Sequence, residues 1–229
     1  MSNWLFVVVI VLFVGSIYSG YKKGLFKTIF SVASIIIAIA ITTFLSPYIA
    51  VQINNSEAIT QKVRKQVMGL INENTKSQSD EEQEEFINNM PIPKYAKEYL
   101  RNNNNLQIYE ERALNSFYEY VADGLVRMVI NLITFIVIYF IIRIGLVIFS
   151  FMGNIITRLP IIEQFDGMGG TLLGAVQGIM EIWILFLIIT FISSTDIGQS
   201  AMDCIQSNGI LEMLYNNNII MQIMYQFIK

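Results

Sequence analysis

The chain has 229 residues, of which 54% are hydrophobic and 14% charged, and its formal net charge is −3. Globular proteins average roughly 45–50% apolar and 25% charged residues, and the excess here lies in blocks, as in membrane proteins. The sequence has no histidine and one cysteine, Cys204, so it lacks the usual zinc and haem ligands, Ser-His and Cys-His pairs, and an intrachain disulfide. We expect no enzyme activity, cofactor, metal site or nucleic-acid partner.

The apolar blocks predict an all-α, polytopic membrane protein with four transmembrane helices, at residues 4–18, 25–45, 128–151 and 170–191. A secretory signal peptide is the competing interpretation of the first block. It is disfavoured because no basic residue precedes the block and no cleavage site follows it. We expect Ser46-Pro47 to end the second span, because proline cannot continue a helix.

The spans divide the chain into four regions. Residues 3–47 and 122–192 are each a pair of transmembrane helices, separated by a long polar loop with helical signals at 48–120. The loop contains eight Lys/Arg and eleven Asp/Glu. Its acidic run at 76–85 and its asparagine tract at 102–105 are expected to be mobile, the acidic run as a solvated surface or as a tail for a cation or partner.

The C-terminal region, 193–229, combines a polar linker with an apolar segment. Polar residues interrupt that segment mainly on one side of a helix, which favours an amphipathic helix lying in the membrane interface over a fifth span. Basic residues in short connections predict orientation. Lys22, Lys23 and Lys27 follow the first span, so we expect that connection to be cytoplasmic and the loop and both termini to be extracytoplasmic.

Three glycines recur at every fourth residue at the start of the fourth span: Gly170, Gly174 and Gly178. We call them the glycine stripe. Helices in lipid associate where small residues, as in GxxxG, let their backbones approach. The stripe therefore predicts a helix–helix contact. A small face of the second span is the expected partner, made of Ser31, Ser34 and Ala38.

Glu181 lies near the centre of the fourth span, four residues after Gln177. An intramembrane carboxylate is costly and is a functional-site hypothesis by default. It could be an ion-coupled group in a transport path or be paired with Arg143. It could also be a structural hydrogen-bond donor to Asn131 or Thr134 of the third span.

Asp166 comes just before the glycine stripe. An acid at this place typically caps the start of its own helix or complements the helix dipole. A salt bridge to Lys22 or Lys23 is the alternative.

Two motifs together suggest a family. The first is Gly20-Tyr-Lys-Lys23-Gly24-Leu-Phe-Lys27, and the second is Asp166-x-x-x-Gly170-x-x-x-Gly174-x-x-x-Gly178, preceded by Leu159-Pro160. With four spans in this order, the chain resembles the colicin V production protein (CvpA) family. The resemblance covers about residues 3–47 and 122–192.

The resemblance implies a protein of the bacterial inner (plasma) membrane with an accessory role in colicin V production, a toxin biosynthetic process, or in envelope maintenance. Its partners would be the lipid bilayer and either further copies of the chain or other export and envelope membrane proteins. The intramembrane acid Glu181 keeps an alternative open, a small channel or transporter coupled to ions or protons.

Overall fold

The computed structural model describes residues 3–68, 79–90, 92–152, 163–193 and 195–226. Within these residues the chain forms α-helices and no strand, which confirms the all-α class. The helices are α1 (Trp4–Asn54), α2 (Glu57–Met68), α3 (Asp80–Asn89), α4 (Lys94–Asn103), α5 (Leu106–Glu111), α6 (Phe117–Met152), α7 (Glu163–Phe191), α8 (Asp196–Gln206), α9 (Gly209–Asn216) and α10 (Ile219–Gln226).

Three of the described helices are long and apolar enough to cross a membrane, over the ranges Trp4–Asn54, Phe117–Phe149 and Asp166–Phe191. Each carries few charges in its most apolar window. Their length and composition identify the chain as a membrane protein.

Helix α1 contains both predicted N-terminal spans. Its backbone leaves the helical conformation at Gly24, where φ is 78° and ψ is 172°. The predicted break at 20–24 is thus confined to one residue, and Tyr21 to Lys23 stay helical. The predicted end at Pro47 is wrong, because the helix continues to Asn54. Proline removes one backbone hydrogen bond, which helices in membrane proteins tolerate.

The chain divides into two compact units, the first of which comprises Met1–Phe44 and Ile136–Ile220. In this unit α7 contacts the N-terminal half of α1, and α8 and α9 pack on α7. Apolar side chains from these helices are fully or almost fully buried, including Leu5, Val9, Ile182, Phe186, Leu187, Ile205 and Leu211.

The C-terminal region forms three short helices instead of the predicted single amphipathic helix. Asn208 caps α9, accepting hydrogen bonds at its Oδ1 from the backbone N–H groups of Ile210 at 3.1 Å and Leu211 at 3.2 Å. The buried side chain of Asn218 donates to the Trp183 carbonyl at 2.9 Å. These asparagines end and start helices, so a continuous helical pattern across them misleads.

The second unit comprises Leu45–Phe135 and Met221–Lys229. In it α3 packs on α4. The described part of the acidic run begins α3, and the Ser79 side chain caps that helix by accepting from Glu82 N–H at 3.3 Å. Asp80, Glu81 and Glu82 in the first turn complement the helix dipole.

The asparagine tract makes contacts of the same kind. Asn105 caps α5 by accepting from Ile108 N–H at 3.1 Å. Asn103 Nδ2 donates to the Tyr99 carbonyl at 2.8 Å. Short polar side chains that bond to nearby backbone favour helix ends, so a polar tract of this kind need not be mobile.

Candidate functional site

The glycine stripe of α7 lies directly against the N-terminal half of α1. A Cβ on Gly170 would lie 2.3 Å from the Gly20 carbonyl oxygen, and one on Gly174 would lie 2.6 Å from the Ser16 carbonyl oxygen. A Cβ on Gly178 would meet Phe13 at 3.0 Å. The two backbones are therefore in contact, a distance that only glycine permits. We call this contact the seam.

The partner of the stripe differs from the expected one. The small face at Ser31, Ser34 and Ala38 lies after the kink in α1, whereas the nearest neighbours of the stripe lie before or at it. The sequence analysis did not identify Ser16 and Gly20 as the partners of the glycine stripe. A signal for them existed, since Ser16, Gly20 and Gly24 repeat at the same spacing of four as the stripe itself.

At the top of the seam, the Asp166 carboxylate caps the helical segment that starts after the kink. Its Oδ1 accepts a hydrogen bond from the Leu25 backbone N–H at 2.6 Å. The predicted cap on its own helix is not seen, because α7 already begins at Glu163. An ion pair of Asp166 with Lys22 or Lys23 is absent from the described residues.

Gly24 makes that cap sterically feasible. A Cβ at this residue would lie 1.9 Å from Asp166 Oδ2, and its φ of 78° is a conformation that L side chains rarely adopt. The Thr28 side chain donates to the Gly24 carbonyl at 2.6 Å. Residue 24 is thus restricted to glycine twice, by its backbone and by its neighbour.

Glu181 joins the same two helices one turn beyond the stripe. Its Oε2 accepts from the Ser16 hydroxyl at 2.6 Å, and its Oε1 accepts from Gln177 Nε2 at 2.7 Å. Ser16 and Gln177 are both buried. A carboxylate inside a membrane helix requires such partners, since lipid supplies none.

Arg143 of α6 is not an ion-pair partner of Glu181 among the described residues. Its guanidinium donates to the Ser34 hydroxyl, which links α6 to the part of α1 after the kink. The buried Tyr139 hydroxyl lies in the electrostatic field of both Arg143 and Glu181. The acid and the base are thus near one phenol without contacting each other.

Other predicted residues are placed as follows. The side chain of Asn131 donates to the Arg127 carbonyl of its own helix at 2.8 Å, and that of Thr134 to the Ile130 carbonyl at 2.7 Å. Lys23 and Lys27 are exposed on either side of Gly24. Pro160 lies outside the described residues.

The geometry describes a dense contact between α1 and α7 with two polar attachments, at Asp166 and Glu181. Within the described part of the chain, no group of three or more Cys, Asp or Glu side chains could hold a metal ion. These contacts can fix α1 and α7 relative to one another. They also place the Glu181 carboxylate between two buried hydrogen-bond donors, Ser16 and Gln177.

The family model described as colicin V production protein matches residues 6–73. The resemblance to that family is confirmed for this part of the chain, which includes the first motif at Gly20–Lys27 and not the second at Asp166–Gly178. The match covers α1, including Ser16, Gly20, Gly24 and the basic residues between the last two. No curated protein and no solved structure matches the chain. Over these residues the chain is similar to colicin V production proteins, and its long apolar helices are typical of a membrane protein.

Proposed function

We propose that the protein is a non-enzymatic accessory component of the bacterial plasma membrane, which acts through helix–helix assembly in colicin V production or export, or in envelope maintenance. The observation that carries the proposal is the seam, where backbone meets backbone at Gly20, Gly170 and Gly174. Its partners would be further copies of the chain or other membrane proteins of export and the envelope.

Four spans fit the structure better than three. A helix of 51 residues is about 76 Å long at roughly 1.5 Å per residue, more than twice the ~30 Å of a bilayer core. The kink at Gly24 divides α1 into two parts, each long enough to cross. With α6 and α7, the protein then has two pairs of spans.

In the proposed orientation, the kink with Lys22, Lys23 and Lys27 faces the cytoplasm, and the loop and both termini lie outside. A single cysteine introduced at Ser79, in a Cys204→Ser background, tests it. We expect an impermeant maleimide to label it in intact cells. Protection there, with labelling only after lysis, would contradict the orientation.

The assembly role is tested by crosslinking and detergent sizing of the wild type and of Gly174→Leu. We expect the variant to lose the wild-type fold and with it the wild-type assembly, because Leu cannot fit beside the Ser16 carbonyl of the same chain. Gly15→Leu is the matched control, since nothing lies within 4 Å of a Cβ at Gly15. Unchanged assembly of Gly174→Leu would reject the proposal.

Ion- or proton-coupled transport through Glu181 receives less support. Its carboxylate oxygens both accept hydrogen bonds from buried side chains, which suits a structural role. Flux by the wild-type protein in liposomes, abolished by Glu181→Gln, would establish transport in place of assembly.

A further inference from the structure

The second unit contains a polar cavity between α4 and the residues of α10 that belong to this unit. Its volume is about 290 Å³, near the lower end of the roughly 300–1,000 Å³ typical of ligand pockets. Four amide side chains, three tyrosines and Glu98 line it. The amides are Asn102, Asn103, Gln222 and Gln226.

This lining is suited to a ligand that is neutral and rich in hydroxyl groups. An amide side chain offers two N–H donors and a carbonyl acceptor, which matches the donor and acceptor character of hydroxyls. No lysine or arginine is among the described residues that line the cavity, so nothing there attracts an anion. Glu98 repels one, and its charge is only partly offset by Lys94 at 3.8 Å.

The tyrosines add aromatic surface to the cavity, which the amides lack. The half-buried Tyr95 offers an apolar ring face against which a sugar ring can pack and a hydroxyl that can donate or accept. Tyr99 and Tyr225 are buried and form the wall behind it, and the Tyr99 hydroxyl accepts from Arg112 at 3.5 Å. Burial, and then Glu98, raise the pKa of Tyr95, so its phenol stays a neutral donor at physiological pH. Asn103 is fixed by its bond to the Tyr99 carbonyl, which leaves its side-chain oxygen available as an acceptor.

We propose that the cavity between Tyr95, Asn102 and Gln222 binds a neutral saccharide. The biological meaning of the site rests on the proposed extracytoplasmic placement of the loop, where glycans of the envelope would reach it. Binding by the purified protein does not depend on that orientation. If the binding test fails, the saccharide site is rejected and the assembly proposal is unaffected. If binding is found but maleimide does not label residue 79 in intact cells, the site exists and the proposed orientation is wrong.

The test uses the full-length protein in lauryldimethylamine oxide, because a maltoside detergent would present its own sugar to the cavity. The probes are N,N′,N″-triacetylchitotriose and cellotriose, which are neutral, and trigalacturonic acid, which is anionic. Ligand-observed saturation-transfer NMR is followed by titration. We expect saturable binding of at least one neutral trisaccharide at millimolar concentration and none of the anionic one.

Two variants locate the site. Gln222→Ala and Asn102→Ala change exposed side chains and should weaken binding about tenfold, or ~1.4 kcal/mol, without changing helix content. Gln61→Ala, an exposed glutamine of α2 outside the cavity, is the matched control and should bind like the wild type. No binding of either neutral probe, equal binding of the anionic probe, or wild-type binding by both cavity variants would overturn the proposal.

Discussion

The seam and the packing around α4 in the second unit both hold helices together, but they do so through different contacts. At the seam the contact is made by backbone atoms and glycines, with Gly20 against Gly170. In the second unit large side chains make it, and the buried Tyr120 stacks on Tyr109 at 5.4 Å and donates to the Leu100 carbonyl at 2.5 Å. Charges there are paired, with Asp123 between Arg112 at 3.0 Å and Arg127 at 2.8 Å.

The two contacts differ in what stabilises them. Lipid is as apolar as leucine, so membrane helices gain little from burying large side chains and associate through close backbone approach. In the second unit, burial of aromatic rings and well-bonded charges contributes to stability. The seam should therefore respond to a single added methyl group, and the second unit to the loss of polar or aromatic groups.

The largest effect is expected for Gly174→Leu. The added side chain meets backbone atoms of Ser16 and Ile17, which cannot move aside without separating the helices. We expect loss of the folded protein, seen as aggregation in size-exclusion chromatography. Gly15→Leu in α1 should elute like the wild type, and equal behaviour of the two variants would contradict the comparison.

Gly24→Ala should be the next most damaging change. It imposes a φ of 78° on a residue with a side chain and brings Cβ to 1.9 Å from Asp166 Oδ2. A cost of about 1–3 kcal/mol is typical of overpacking, and backbone strain adds to it. Thermal unfolding measures it, with Gly145→Ala as the control, since a Cβ there meets nothing within 4 Å. A melting temperature equal to the control's would contradict the close packing of Asp166 against Gly24.

Asp123→Asn tests the second unit. It removes the charge that two arginines share, and hydrogen bonds to charged groups are worth about 1.5–3 kcal/mol. We expect a lower melting temperature. Glu98→Gln, whose ion pair with Lys94 is exposed, should change it little, because such pairs contribute about 0–1 kcal/mol. Equal losses for the two variants would show that the pairing around Asp123 is not special.

The smallest effect is expected for Glu181→Gln. The amide keeps an acceptor for the Ser16 hydroxyl, and interhelical hydrogen bonds in membranes average about 0.6 kcal/mol. Because Glu181→Gln keeps that bond, the coupling is measured by thermal unfolding in a double-mutant cycle of Glu181→Ala with Ser16→Ala. A coupling near zero would mean that the two side chains do not stabilise the contact.

Much of the helical content could be predicted from the apolar blocks, and the spacing of Gly170, Gly174 and Gly178 pointed to a helix contact. What spacing cannot supply is the partner. Ser16 and Gly20 lie about 150 residues away in the chain, and several small-residue faces compete for the stripe. A rule of local spacing does not rank them.

Asp166 shows the same limit at the candidate site. Capping rules are local, so they assign the acid to its own helix, whereas it caps a segment at Leu25, 141 residues earlier. The prediction that the helix ends at Pro47 was wrong for a related reason. Local propensity disfavours proline in a helix, but α1 continues through Pro47 to Asn54, as long helices tolerate the loss of one backbone hydrogen bond.

One comparison tests the seam most directly, because it places the same methyl group at two glycines of the same helix. Gly20→Ala puts Cβ 2.2 Å from the Gly170 carbonyl oxygen, whereas Gly15→Ala meets nothing within 4 Å. The measurement is thermal unfolding of the two variants in the same detergent. We predict a clear drop in melting temperature for Gly20→Ala, equivalent to about 1–3 kcal/mol, and none for Gly15→Ala. Equal melting temperatures would contradict the account of a backbone-to-backbone contact.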